Sequence, residues 1–91
     1  MNLIVTRHPA LVEWLRLHGI EGEVISHANE EAVKGRRVYG VLPMRLAALT
    51  SRFTEVSLTL APEQRGKELT LEDIEGANPQ LTTYVVRVYR G

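Results

Sequence analysis

Cysteine is absent from the 91 residues of this chain. Its absence excludes disulfide bonds, zinc sites built from thiolates, and catalysis by a thiol. No long hydrophobic run is present either, because Arg7, His8 and Pro9 interrupt the apolar stretch at the amino terminus. A secretory signal peptide or a membrane span would need a longer run. We therefore expect a cytoplasmic protein that does not associate with membranes.

The chain also lacks an excess of charge of either sign, since 11 Lys and Arg residues balance 11 Asp and Glu residues. A neutral protein has no long-range attraction for a long nucleic acid, so an anion site has to come from local clustering of cations. Metal chemistry lacks support as well, because His8, His18 and His27 do not have the spacing of metal ligands. No serine stands in a nucleophile-elbow sequence. We expect neither a metal nor another cofactor.

The hydrophobic fraction of 44% is ordinary for a soluble globular protein. A chain of 91 residues is near the low end of sizes that fold without disulfides or metals. We therefore expect residues 1–91 to form a single domain that uses its core efficiently or shares one with a partner.

The amino-terminal stretch Leu3-Ile4-Val5-Thr6-Arg7-His8-Pro9 joins three apolar β-formers to a polar triplet and a proline. It predicts a buried strand followed directly by a helix, because proline is favoured at the first helical position. A helix amino terminus carries unpaired N–H groups and partial positive charge, so Arg7 and His8 beside it are typical of a phosphate site. His8 is equally suited to cap the helix. The helix is predicted over residues 9–18 from apolar or packed positions at helical spacing: Leu11, Trp14, Leu15 and His18.

The rest of the chain predicts alternating strands and short helices. Strands are expected over residues 23–27, 37–42, 54–60 and 82–89, and helices over about two turns within 28–34, over 44–49 and over 71–75. Pro43 opens the second of these helices, and Thr70 caps the third. The last strand has apolar residues on both faces, which favours a partner covering one of them. This order is typical of an α/β, three-layer fold with a mostly parallel, five-stranded sheet.

Polar and basic residues follow several of the predicted strands. Because the carboxyl ends of parallel strands share one edge of a sheet, we expect these residues to form a basic rim on a neutral protein. They are Thr6, Arg7, His8, Ser26, His27, Arg45, Arg65 and Lys67.

An ordered set of short segments resembles the CRISPR-associated Csx-sixteen family of small type III accessory proteins. The segments are Val5-Thr6-Arg7-His8-Pro9, Val12-Glu13-Trp14-Leu15, Gly40-Val41-Leu42-Pro43 with Leu46-Ala47, Leu58 to Leu60, and Arg65-Gly66-Lys67-Glu68-Leu69. The resemblance implies a Rossmann-like domain related to the CARF sensors that works as a homodimer. It also implies a ring nuclease, which degrades the second messenger cyclic tetra-adenylate and so switches off the antiviral effectors.

The basic rim fits that chemistry. Metal-independent cleavage needs a ribose 2′-hydroxyl held in line with its neighbouring phosphorus, and cations that stabilise the charge developing on the phosphoryl oxygens. Arg7 is the candidate for this stabilisation and His8 for proton transfer. Ligand contacts are assigned to Thr6, Ser26, His27, Pro43, Arg45, Arg65 and Lys67. Two alternatives stay open: a protein that binds the cyclic nucleotide without cutting it, and a structural CRISPR accessory protein.

Overall fold

The structure, a computed structural model, describes residues 2–91. It contains five strands, four α-helices and a short 3₁₀-helix over Pro62–Gln64. The strands are β1 (Asn2–Val5), β2 (Gly22–Ile25), β3 (Arg37–Gly40), β4 (Arg52–Ser57) and β5 (Gln80–Tyr84). The helices are α1 (Pro9–Leu17), α2 (Glu30–Val33), α3 (Met44–Ala47) and α4 (Leu71–Gly76).

The strands form one sheet in the order β2-β1-β3-β4-β5. The first four run parallel, and β5 pairs antiparallel with β4. This confirms the predicted α/β fold with a mostly parallel sheet of five strands. The chain winds in opposite directions from β1, first to β2 and then to β3. The crevice at the carboxyl ends of β1 and β3 is therefore the place where sheets of this order hold ligands.

Two hydrophobic clusters cover the two faces of the sheet and give the fold its three layers. In β1, Leu3 and Val5 belong to one cluster and Ile4 to the other, as the alternation of side chains along a strand requires. The first cluster contains residues of α2 and α3, and the second contains residues of α1 and α4. Every side chain of the middle of β1 is thus buried, which fixes this strand at the centre of the domain.

Helix α1 agrees with its prediction to within one residue at its carboxyl end. Proline occupies its first turn, and Leu11, Trp14 and Leu15 face the core. The ring of His18 packs on the ring of Trp14 with centroids 4.1 Å apart, and its Nδ1 lies 2.8 Å from the Trp14 carbonyl oxygen. These contacts give His18 a structural role at the end of the helix.

Helix α4 begins with a reciprocal capping arrangement. The Asp73 backbone N–H donates to Thr70 Oγ1, and the Thr70 backbone N–H donates to Asp73 Oδ2. Hydrogen bonds from Thr70, led by its backbone N–H, lower the pKa of the Asp73 carboxyl below its ordinary value of 3.8. The predicted cap at Thr70 is confirmed.

Several predicted element boundaries were wrong. The strands predicted over 23–27 and 37–42 end two residues earlier, at Ile25 and Gly40, and the helix predicted over 44–49 ends at Ala47. The strand predicted over 54–60 is β4, which begins at Arg52 and ends at Ser57. The strand predicted over 82–89 is β5, which spans Gln80–Tyr84 and leaves residues 85–91 outside the sheet. Its register explains the end point, because Tyr84 pairs with Phe53 and only Arg52 precedes that residue in β4.

A mainly apolar hollow of about 230 Å³ opens beside α3 and next to β4 and β5. We call it the β5 hollow. Met44 at the start of α3 is 75% exposed there, and every residue of β5 is exposed. Its lining residues are Leu42, Met44, Phe53, Glu55, Tyr84 and Val86. Across residues 2–91, none of the helices has the length and hydrophobicity needed to span a membrane.

Candidate functional site

The loop from β1 to α1 carries Thr6, Arg7 and His8 to the carboxyl edge of the sheet. The backbone N–H of Thr6 donates to the carbonyl of Ile25 at 3.0 Å, which continues the pairing of β1 with β2 by one residue. Thr6 Oγ1 then accepts a hydrogen bond from the His8 backbone N–H at 3.1 Å. The loop is therefore held by one hydrogen bond to β2 and one within itself, and Arg7 is exposed at the edge.

His8 occupies the position before α1, but its imidazole does not cap the helix. Its backbone is extended and its carbonyl accepts from the Leu11 N–H at 3.0 Å, while its side chain makes no capping hydrogen bond. His8 is thus the residue that caps α1, as predicted, but it does so through its backbone and without a hydrogen bond from its side chain. The half-buried imidazole instead lines the hollows described next.

The basic hollow lies where the Arg7 loop meets the loop before α4. It has a volume of about 400 Å³ and is lined by Arg7, His8, Gly66, Lys67 and Glu68. Arg7 and Lys67 are 60 positions apart in the sequence, and the fold brings both cations to one concavity. Two cations around a shared space are suited to phosphate oxygens.

The β2 hollow also borders this loop and lies between α1 and the edge strand β2. It has a volume of about 330 Å³. Apolar side chains from both elements form much of its wall, and hydroxyl groups and Arg7 complete it. The lining residues are Thr6, Arg7, His8, Pro9, Val12, Val24 and Ser26.

The central hollow, of about 270 Å³, sits above the ends of β1, β2 and β3. Its lining residues are Val5, Thr6, Arg7, His8, Ser26 and Val41. Gly40 ends β3 beside it with a φ of +134°, and a Cβ at this position would collide with the Val5 carbonyl oxygen. Glycine is thus needed at this position for β3 to approach β1 closely at the site.

Arg7 also meets His27, which follows β2. Arg7 Nη2 and His27 Nδ1 are 3.5 Å apart. Arg7 lines all three hollows. Its contact with His27 therefore restricts the direction in which the guanidinium points.

The fold brings six of the nine predicted site residues into one region. Thr6, Ser26 and His8 share hollows with Arg7, Lys67 faces Arg7 across the basic hollow, and His27 contacts Arg7. The other three line none of these hollows: Pro43 precedes α3, Arg45 is exposed in α3, and Arg65 is exposed after the 3₁₀-helix. Their assignment to the ligand stays a prediction without a contact that supports it.

Sequence reasoning missed two kinds of lining residue, an acidic side chain and several valines. Glu68 lies in the basic hollow, and its place directly after Lys67 was the signal that could have found it. Val12 and Val24 line the β2 hollow, and Val41 lines the central hollow. These valines read as core positions in the sequence, and only the structure shows that Val24 and Val41 are 46% and 71% exposed.

Within residues 2–91, no cluster of three or more His, Asp or Glu side chains is arranged to hold a metal ion.

A family model described as "Putative CRISPR-associated protein (Cas_VVA1548)" matches residues 3–87. The chain belongs to this family. The match includes every strand and helix described above except the first residue of β1, and it includes the whole Arg7 region. No curated protein and no solved structure matches the chain. Membership of the Cas_VVA1548 family thus associates the protein with CRISPR systems.

Proposed function

We propose that this protein is a ring nuclease that binds cyclic tetra-adenylate and cleaves it without a metal. The observation that carries the proposal is the grouping of Arg7, His8 and Lys67 around one hollow at the carboxyl edge of the sheet. The membership of a CRISPR-associated family and the resemblance to the Csx-sixteen proteins favour a second messenger of CRISPR defence over another phosphate ester.

The reaction is an attack of a ribose 2′-oxygen on the adjacent phosphorus. The O2′–P bond forms and the P–O5′ bond breaks, which leaves a 2′,3′-cyclic phosphate and a 5′-hydroxyl group. One proton leaves the 2′-hydroxyl and one reaches the O5′ atom, so the step needs no further reactant. Two such cleavages convert the ring into two linear di-adenylates.

Arg7 and Lys67 stabilise the negative charge that develops on the phosphoryl oxygens. They stand on different loops but line the same basic hollow, so both can contact one phosphate bound there. His8 and Glu68 line the same hollow and are the two groups able to accept the proton of the 2′-hydroxyl. Holding the 2′-oxygen in line with the phosphorus supplies much of the remaining acceleration.

A homodimer completes the proposal. Cyclic tetra-adenylate has near-twofold symmetry, so two copies of the basic edge related by a twofold axis match its four phosphates. The β5 hollow is the surface that a second copy would cover. It is mainly apolar but contains Glu55, and the segment after Val86 carries Arg87. In a twofold arrangement, Glu55 of each copy can meet Arg87 of the other, which makes the surface complementary to itself.

The deciding experiment incubates purified protein with cyclic tetra-adenylate in the presence of a chelator and resolves the products by liquid chromatography and mass spectrometry. Linear di-adenylate with a 2′,3′-cyclic phosphate supports the proposal. Ligand that stays intact and bound would contradict cleavage and favour a protein that only captures the messenger. Ligand that neither binds nor is cleaved would contradict the proposal and favour a structural accessory protein.

A further inference from the structure

We propose that the β2 hollow binds the adenine base of the nucleotide whose phosphate contacts Arg7. The inference rests on the proposed function and deepens it, because it assigns one part of the ligand to a part of the site. It assigns this base-binding role to Val12, Val24 and Ser26.

The apolar wall of the β2 hollow comes from two elements. Pro9 and Val12 belong to α1, and Val24 faces them from β2. A single exposed valine on a surface is ordinary, but here three apolar side chains converge on one concavity. Its volume of about 330 Å³ lies at the lower end of the range for small-molecule sites. A flat, apolar ring is the kind of group that such a wall accepts.

The rest of the lining suits the edges and the face of a purine. Thr6 and Ser26 place hydroxyl groups beside the wall, and the planar guanidinium of Arg7 borders it. Nucleobases stack on arginine planes and apolar side chains and form hydrogen bonds along their polar edges. Ser26 is exposed and lines the hollow, so its hydroxyl can reach the polar edge of a base.

The neighbouring basic hollow fixes which side of Arg7 takes the base. Both hollows share Arg7 and His8, so a nucleotide whose phosphate is held there must direct its base to one side. On one side stand Lys67 and Glu68, which favour a charged or strongly polar group. On the other stand Val12 and Val24. The base therefore enters the β2 hollow, and the next phosphate of the ring turns toward Lys67.

The test compares two probes that differ only in the base. Adenosine 5′-monophosphate carries it, and ribose 5-phosphate has the same phosphate on a sugar without a base. Dissociation constants come from NMR titrations of the wild-type protein and of Val24→Thr, which keeps the shape of valine and places a hydroxyl in the wall. Val88→Thr is the matched control, since Val88 is 62% exposed and lines none of the three hollows.

The wild type and Val88→Thr are expected to bind the adenosine probe more tightly than the sugar phosphate. Val24→Thr is expected to raise the dissociation constant of the adenosine probe by about threefold to tenfold and to leave that of the sugar phosphate unchanged. Shift changes for the adenosine probe should include Val12, Val24 and Ser26. Arg7→Gln should lower the affinity for both probes, because both carry the phosphate.

Three results would overturn the inference in distinguishable ways. Equal affinity of the wild type for both probes, in a protein that still cleaves the ring, removes the base site and leaves the proposed function standing. Loss of affinity for both probes in Val24→Thr assigns the valine to the general integrity of the site and also removes the base site. Failure of the wild type to bind either probe, together with an intact ring, removes the base site and the proposed function together.

Discussion

The Nη2 atom of Arg7 lies 3.5 Å from the Nδ1 atom of His27. A guanidinium only donates hydrogen bonds, so Arg7 is the donor in this contact and Nδ1 of His27 is the acceptor. His27 was predicted to contact the ligand, but the contact with Arg7 gives it a second role. It helps to direct the guanidinium toward the hollows.

Replacing His27 tests that role. His27→Ala is expected to lower the turnover of cyclic tetra-adenylate by roughly threefold to tenfold. His27→Asn should retain more of the turnover, because the Asn Oδ1 atom lies near the place of Nδ1 and accepts in its stead. In the Arg7→Gln background, His27→Ala should have no further effect. Additive losses, measured under single-turnover conditions, would instead indicate an independent ligand contact.

Removing the Arg7 guanidinium should affect chemistry far more than folding. Arg7→Gln is expected to lower single-turnover cleavage by about a hundredfold or more, as does the loss of one preorganised donor in other enzymes. Arg7 is exposed, so the free energy of unfolding should change by less than about 0.5 kcal/mol. Arg37→Gln is the matched control, since Arg37 is exposed at the opposite end of the sheet. Unchanged cleavage by Arg7→Gln would remove Arg7 from the mechanism.

The dimer surface predicts a charge-reversal result. Glu55→Arg and Arg87→Glu each place like charges together across the twofold axis, so each should dissociate the dimer in sedimentation velocity experiments. The double variant restores opposite charges and should restore the dimer. Arg90→Glu, on the same segment, is a control for the change in net charge. A dimer that survives both single reversals would show that the copies associate through another surface.

Gly40 should tolerate no side chain. In Gly40→Ala the new Cβ meets the Val5 carbonyl oxygen and the backbone is held at a φ of +134°. Urea denaturation is expected to show that the free energy of unfolding falls by about 1–3 kcal/mol or more. Gly35→Ala is a matched control, because Gly35 also has a positive φ of 70° but nothing lies within 4 Å of the added Cβ. Equal losses in the two variants would show that the contact with Val5 is unimportant.

The capping residues of α4 predict a dependence of stability on acid. The pKa of Asp73 is lowered in the folded protein, so its carboxylate stabilises the fold above the unfolded pKa. That stabilisation is lost as the pH falls through the folded pKa. Asp73→Asn removes the titration, so its free energy of unfolding should fall less steeply than that of the wild type between about pH 5 and pH 2. Parallel curves would exclude Asp73 from acid unfolding.

Local sequence signals were sufficient for much of the fold. Pro9 and Thr70 mark helix starts through their own backbone and side-chain chemistry, and both predictions hold. The end of β5 could not be found in this way, because residues 85–89 continue a pattern that favours strands. The strand stops at Tyr84 because β4, its partner, begins at Arg52. Strand length here depends on a neighbour that is distant in sequence.

The site residues also fall into those that local sequence signals place and those that depend on distant packing. Thr6, Arg7, Ser26 and His27 directly follow strands, so the parallel sheet alone is enough to bring them to one edge. Arg45 and Arg65 stand on a helix and a loop, whose directions depend on packing that the sequence does not reveal. Lys67 reaches Arg7 because the loop before α4 lies beside α1, and α1 and α4 pack in the same hydrophobic cluster.

The β5 hollow leaves Met44 and Tyr84 in contact with water in the single chain. If a second copy covers them, folding and association are linked by mass action. The melting temperature of the protein would then rise with its concentration. A cell that makes little of this protein would hold a larger share of it as separate, less stable chains.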